Sequence, residues 1–191
     1  MSMSEQYQIQ AVFEKVKAAL GVKSSVELWI SAEASGPMLL GFLRPKVVLP
    51  DCMLAQEKLE MIFRHELLHH RRHDCWYRLL MLLTQSVHWF NPLVWLMARR
   101  AAEDLESACD RSVIKGQSRE FVEEYAQALL ETAKCLLQRK KVRQTVLVSY
   151  LSSGAQRLKE RLVELFQPTR REGGPLIILL ALLAVLGIYI V

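Results

Sequence analysis

The sequence lacks the patterns that mark several common types of functional site. It contains eight glycines without a glycine-rich phosphate-binding loop, and no two of its four cysteines have CxxC spacing. No serine, histidine and aspartate arrangement points to nucleophilic catalysis, and no nucleic-acid-binding motif accompanies the net charge of +5. These absences argue against a nucleotide-binding enzyme, a serine hydrolase and a protein that binds nucleic acid directly.

A metal-binding pattern is present instead, because His65, Glu66 and His69 form an HExxH sequence in a segment of helical periodicity. Residues four apart on a helix lie one above the other at about 6 Å, so two such imidazoles can bind one ion. Glu66 then lies beside the metal, where it can take a proton from a zinc-bound water whose pKa is lowered to about 7. The pattern predicts a hydrolytic Zn2+ site with two histidine ligands and Glu66 as the general base.

The third ligand must come from a distant part of the chain. His73 continues the four-residue ladder, but it would lie about 12 Å from His65 along the helix axis, too far for one ion. The metzincin pattern places a histidine six residues after the second one, and Cys75 stands there. Glu106 and Asp110 share one helical face, so we predict Glu106 as the third ligand and Asp110 as the acceptor of a hydrogen bond from a ligating histidine. Without the HExxH sequence, the same acidic segment would be interpreted as a charged helix surface.

The rest of the pattern predicts a mainly α fold with a small β-sheet. Helices are expected from about Glu5 to Leu20 and from Glu120 to Leu137. Short strands are expected near residues 26–31, 38–42 and 47–49. The strand at 38–42 has two interpretations: an edge strand that binds an extended substrate by strand addition, or a hairpin strand that only packs on the active-site helix.

Two apolar stretches predict contact with a membrane. Residues 174–191 carry no charge and are predicted to form a transmembrane helix after a domain that comprises residues 1–172. Two arginines precede this stretch, which predicts a cytoplasmic location for the domain. Residues 76–98 are interrupted by polar residues and by Asn91-Pro92, so they predict either a re-entrant or interfacial hairpin or a helical hairpin in the protein core.

Several motifs resemble, in the same order, those of the BlaR/MecR-type membrane metallopeptidases, the antirepressor and sensor-transducer proteins of antibiotic-inducible resistance. The matching segments are GFLRPKVVLP at 41–50, HELLHHRRHD at 65–74, WFNPLVW at 89–95, ESACD at 106–110 and, more weakly, LKERL at 158–162. Ordered matches of this kind are far more specific than one short motif.

The resemblance implies a gluzincin-type zinc protease domain on the cytoplasmic side of a bacterial cell membrane, with His65, His69 and Glu106 as ligands and Glu66 as base. It implies membrane lipid as a partner, and as substrate either the protein itself or a cytoplasmic helix-turn-helix repressor in an antibiotic-response pathway. Full family members start with several transmembrane helices and many continue into an extracellular sensor, so we expect a fragment, a truncated product or a minimal relative. Two alternatives stay open: a constitutive housekeeping zinc protease of the membrane, and a non-catalytic signalling module.

Overall fold

The computed structural model describes residues 3–34, 36–51, 55–143 and 148–166. Residues 136–143 and 148–156 are described by their backbone alone. Within those ranges, no helix combines the length and the apolar character that crossing a bilayer requires. The predicted transmembrane helix at 174–191 lies outside the described residues.

The described residues form a mainly helical fold with one small sheet, which confirms that part of the predicted fold class. In chain order the elements are α1 Met3–Ala19, β1 Glu27–Ser31, β2 Met38–Leu40, β3 Lys46–Pro50, α2 Gln56–Arg71, α3 Asp74–Val87, α4 Pro92–Ile114, α5 Arg119–Arg143 and α6 Val148–Phe166.

The sheet is mixed, and its strands are not arranged in chain order. The central strand is β3, which pairs in parallel with β1 and antiparallel with β2. The strand β2 therefore lies at an edge of the sheet. Gly41 follows it at a φ of +89°, and a Cβ there would lie 2.5 Å from the carbonyl oxygen of Arg44. This tight connection back to β3 requires glycine.

Helix α2 lies between two apolar cores, and this position fixes its orientation. One face packs against α1 and the sheet, where the rings of Phe13 and Phe63 meet edge to face at 5.3 Å. The other face packs against α4 and α5 through residues that include Met61 and Leu68, and Leu165 of α6 belongs to the same core. With both flanks fixed by burial of apolar area, the polar residues of α2 cannot rotate away from their positions.

Helices α3 and α4 form a hairpin around the predicted break. Asn91 caps α4 by accepting a hydrogen bond from the backbone N–H of Leu93 at 3.0 Å, and Pro92 stands in the first turn. Large apolar side chains of this hairpin are exposed, with Trp89 at 72% and Phe90 at 65%. In the described part of the chain, neither core contains any residue from 76–98.

Candidate metal centre

The HExxH residues lie on the inward-facing stripe of α2. His65, Glu66 and His69 are all buried. The two imidazole rings are almost perpendicular, and their Nε2 atoms are 3.1 Å apart. The local helix geometry therefore directs both nitrogens to one point, as the four-residue spacing predicts.

Helix α4 brings a carboxylate to the same point. The Oε2 atom of Glu106 lies 3.6 Å from Nε2 of His65, and its Oε1 atom lies 3.6 Å from Nε2 of His69. The two helices approach closely beside the site, where the thiol of Cys109 donates to the backbone carbonyl of His65 at 3.4 Å. A small side chain at this contact lets Glu106 reach the histidines.

The outer nitrogen of His69 is bound by a carboxylate that the sequence interpretation missed. Its Nδ1 donates to Oδ2 of Asp74 at 2.6 Å, and Asp74 is only 1% exposed. Arg72 also donates to this carboxylate, at 3.3 Å. Asp74 reaches back to the site because His73, between α2 and α3, adopts a left-handed conformation with a φ of 59°. The sequence held one signal for this contact, an aspartate five residues after the second histidine of HExxH.

The outer nitrogen of His65 faces a pair of oxygens. The hydroxyl oxygen of Tyr125 lies 2.7 Å from Nδ1, and this hydroxyl donates to Oδ1 of Asp110 at 2.6 Å. Asp110 Oδ1 itself is 3.3 Å from Nδ1. The structure thus places Asp110 behind a candidate ligand, with Tyr125 in contact with both residues. The sequence places Tyr125 within the helix predicted from Glu120 to Leu137 and gives no signal of this contact.

Two arginines approach the acidic residues. Arg161 on α6 donates to Asp110 through Nε and Nη2, both at 2.8 Å. Arg78 on α3 donates to Oε1 of Glu106 at 2.7 Å. Burial alone would raise the pKa of each carboxyl group, but hydrogen bonds with the histidines and the charge of Arg161 lower the pKa of Glu106 below its usual range. Hydrogen bonds from Arg161 and His65 do the same for the pKa of Asp110. Both groups are therefore carboxylates at neutral pH.

The carboxylates give the pocket an affinity for positive charge. Burial alone would lower the pKa of His69, but its hydrogen bond with Asp74 and its contacts with Cys109 and Glu106 raise that pKa to about 11. Burial would also lower the pKa of His65, which contacts with Tyr125 and Asp110 hold well above its ordinary value. Positive charge between these imidazoles and Glu106 is favourable, whether protons or a cation supply it.

The donor atoms fit a zinc ion. Two ligand atoms, each about 2.1 Å from a tetrahedral Zn2+, lie about 3.4 Å apart. The three separations among the two Nε2 atoms and the nearest Glu106 oxygens are 3.1, 3.6 and 3.6 Å. Where a cation replaces the second proton of each imidazole, Nδ1 would keep its proton and Nε2 would offer a lone pair. Three acceptors that meet at one point suit a metal cation.

Cys109 is a second candidate for the third ligand. Its Sγ atom and one ring nitrogen each of His65 and His69 lie within 4.8 Å of one another. Thiolate is a common zinc ligand, so distance alone does not exclude this set. The hydrogen bond of the thiol to the His65 carbonyl directs its proton toward the backbone of α2. The geometry therefore offers Glu106 and Cys109 as alternatives, with Glu106 near both Nε2 atoms.

Other polar residues that are close in sequence to the candidate ligands do not join them at the site. His70 contacts the hydroxyl of Ser24 through Nε2 at 2.6 Å. His73 lies beyond the end of α2 and is outside the candidate metal group. Glu103 pairs with arginines of its own helix, Arg99 and Arg100. Glu66 is buried and, among the described residues, has no hydrogen-bond or ion-pair partner.

The sequence is similar to known proteins over most of its length. A family model described as BlaR1 peptidase M56 matches residues 1–165. Regulatory protein BlaR1 of Bacillus licheniformis is 26% identical over 158 residues, which are 82% of this chain and 26% of the relative. The methicillin resistance mecR1 proteins of Staphylococcus aureus and Staphylococcus epidermidis are each 28% identical over 142 residues, which are 73% of this chain and 24% of the relative. The chain therefore spans about a quarter of the length of these curated relatives.

The buried Asp74 carboxylate should stabilise the fold even without metal. In the presence of a chelator, we expect Asp74→Asn to lower the free energy of unfolding by about 1–3 kcal/mol, because an amide cannot accept from both His69 and Arg72 in the same way. Urea unfolding of the detergent-purified protein measures the loss. The matched control is Glu123→Gln, which removes an exposed pair with Arg119 and should cost less than about 1 kcal/mol. Equal losses in the two variants would contradict the role given to Asp74.

Proposed function

The chain belongs to the BlaR1 peptidase M56 family, as its motifs predict, and from this premise we propose that it is a membrane-associated zinc endopeptidase. Its substrate is either the protein itself or a cytoplasmic helix-turn-helix repressor in an antibiotic-response-type signalling pathway. The observation that carries this proposal is the convergence of His65 Nε2, His69 Nε2 and the Glu106 carboxylate beside the buried Glu66. Two imidazoles and one carboxylate leave a fourth position open, which a catalytic zinc needs.

In this proposal Glu106 is the third ligand and Cys109 is not. The carboxylate lies 3.6 Å from each Nε2 atom, and its pKa is lowered, so it is ionised and ready to bind a cation. The thiol already donates to a backbone carbonyl of α2. Asp74 and Asp110 act on the ligating histidines from outside the metal shell, where acceptors fix the ring orientation and raise ligand basicity.

Glu66 is the general acid and base of the proposed hydrolysis. Zinc, when bound, lowers the pKa of a water molecule and polarises the scissile carbonyl. Glu66 would take a proton from the attacking water as the water oxygen bonds to the carbonyl carbon, and would then give a proton to the amine nitrogen as the C–N bond breaks. Its position next to His65 on α2 places the carboxylate beside the metal ligands.

Strand β2 supplies a place for an extended substrate. It lies at an edge of the sheet, so an added peptide strand can pair with its free backbone groups. The ring of Phe42, just after β2, contacts Trp76 on α3 with centroids 5.6 Å apart. Helix α3 also carries Arg78, which binds Glu106. These contacts put the edge strand and the candidate metal site on neighbouring elements.

The hairpin of α3 and α4 is the proposed membrane-facing surface of a cytoplasmic domain that comprises residues 1–172, and residues 174–191 are its proposed transmembrane anchor. Soluble surfaces rarely expose so many large apolar side chains together. The exposed members are Trp76, Tyr77, Leu80, Leu82, Leu83, Val87, Trp89, Phe90, Leu93, Trp95 and Leu96. Tryptophan and tyrosine are the side chains that favour the bilayer interface. A bacterial cell membrane is therefore the proposed location.

Replacement of the proposed base should separate metal binding from hydrolysis. We expect Glu66→Gln to keep zinc and to lower the rate of cleavage by about 10²- to 10⁴-fold, because the amide cannot take the proton. The protein is incubated with zinc, alone and with a helix-turn-helix repressor, and mass spectrometry measures peptide-bond cleavage.

The matched control for this experiment is Glu60→Gln, because Glu60 lies on the same helix and pairs at the surface with Lys15. That variant should cleave at the wild-type rate. Normal hydrolysis by Glu66→Gln would rule out the proposed base. A zinc-loaded wild type that cleaves neither itself nor the repressor would favour a non-catalytic module or a housekeeping protease with another substrate.

The membrane contact of the hairpin can be tested with its own tryptophans. Three of the four tryptophans lie on the hairpin, and the fourth, Trp29, lies on β1 over Lys46. In proteoliposomes with acyl-brominated lipid, we expect strong fluorescence quenching in Trp29→Phe, which keeps the hairpin tryptophans. Quenching should be weak when the three hairpin tryptophans are replaced by phenylalanine and only Trp29 remains. Equal quenching of the two variants would contradict a membrane contact specific to the hairpin.

A further inference from the structure

We propose that Tyr125 and Arg161 are positioning residues for metal binding, which together hold His65 in the orientation and tautomer that a metal ligand needs. This inference rests on the proposed metal site and names two residues outside its ligands and base. Tyr125 comes from α5 and Arg161 from α6, so the site depends on elements far along the chain from the HExxH sequence.

The hydrogen bonds of Tyr125 fix the tautomer of His65, because the tyrosine has only one proton to donate. A phenol has one O–H to donate, and Tyr125 gives it to Asp110 at 2.6 Å. Asp110 is a carboxylate and can only accept, so the Tyr125 oxygen must receive the N–H of His65 across their 2.7 Å contact. The proton of the neutral ring then lies on Nδ1. Nε2 presents its lone pair to the point that it shares with His69 and Glu106.

Arg161 fixes the direction of this chain of hydrogen bonds. Its guanidinium donates to both oxygens of Asp110, at 2.8 Å each, in the fork geometry that carboxylates favour. The Asp110 side chain is only 5% exposed, and without Arg161 it would be a buried charge that lacks a counter-charge. Nη1 of Arg161 also lies 3.6 Å from Oε2 of Glu106. Arg161 therefore contacts one candidate ligand, Glu106, and also Asp110, which is the partner of the candidate ligand His65.

Asp110 alone cannot replace Tyr125 at full strength. Its Oδ1 lies 3.3 Å from Nδ1 of His65, whereas charge-assisted N–H···O bonds are about 2.7–2.9 Å long. Loss of the Tyr125 hydroxyl therefore leaves the ring of His65 loosely held, and loss of the Arg161 fork leaves the Asp110 acceptor loosely held. Both changes reach the metal through His65, and loss of Arg161 also removes its contact with Glu106.

The test is zinc affinity, measured with the full chain in detergent by competition against a fluorescent chelator. We expect Tyr125→Phe to raise the Kd for zinc by about 10- to 100-fold, the usual effect of removing an outer partner of a ligand. Arg161→Lys keeps the charge but loses the fork, so it should weaken binding less than Arg161→Met does. The visible absorption spectrum of the Co2+-loaded protein should change in Tyr125→Phe, because the ligand field reports on ligand orientation.

Two matched controls separate positioning from general packing. Thr132→Val removes another buried hydroxyl of α5, which donates only to the backbone carbonyl of Ala128 at 2.8 Å. Arg157→Met removes an exposed arginine of α6. Neither control should change zinc affinity or the Co2+ spectrum.

The outcomes distinguish this inference from the proposed function. The double variant Tyr125→Phe/Arg161→Lys should lose less affinity than the sum of the two single losses, because both residues act through His65. Additive losses, or wild-type affinity and spectrum in both single variants, would overturn the inference and leave the metal site standing. A wild-type protein that binds no zinc would overturn the proposed function, and the inference with it.

Discussion

Close packing of α2 against α4 places one carboxylate beside two imidazole nitrogens in a buried pocket, and the surrounding structure serves to make that arrangement stable. Burial of ionised groups is unfavourable unless each is paired and hydrogen-bonded. Here Asp74 binds the outer nitrogen of His69, while Tyr125 and Asp110 occupy that of His65. Each outer partner leaves an inner nitrogen directed at Glu106. Side chains from α3, α4, α5 and α6 therefore hold the acceptor atoms of the pocket in place.

The same helix that carries Glu106 also begins in the exposed apolar hairpin. The first turns of α4 present Leu93, Trp95 and Leu96 to the surface, and its later turns are buried against α2. A proposed membrane surface and a proposed metal site therefore share one continuous helix. Helix α6, which brings Arg161 to the site, precedes the proposed transmembrane segment in the chain.

Local spacing made part of the site predictable from the sequence. His65, Glu66 and His69 lie within one and a half turns of helix, so their relative positions depend on helix geometry alone. The placement of Glu106 depends on how two helices pack, and it was indicated by the four-residue spacing with Asp110 together with the family resemblance. Roles for these residues in metal binding and catalysis remain predictions.

Other features depended on tertiary contacts that no local pattern expresses. Tyr125 has the apolar spacing of a core residue, yet its hydroxyl is the nearest partner of His65. Arg161 comes close to the site only because α6 folds back onto α4. The order of the sheet, with β3 between β1 and β2, cannot be read from three short strands because pairing partners are non-local. The predicted mainly α fold with a small sheet needed only the periodicities, and the structure confirms it.

The most direct test of the proposed metal site is the metal content of the detergent-purified protein, measured by elemental mass spectrometry after zinc is supplied and excess is removed. We expect one zinc per chain in the wild type, loss of zinc in His69→Ala and Glu106→Ala, and retention in Glu103→Ala and Cys109→Ala. A wild type without bound metal would contradict a metal site at these residues. Zinc that is lost from Cys109→Ala and kept by Glu106→Ala would move the third ligand to the thiol and contradict the proposed site.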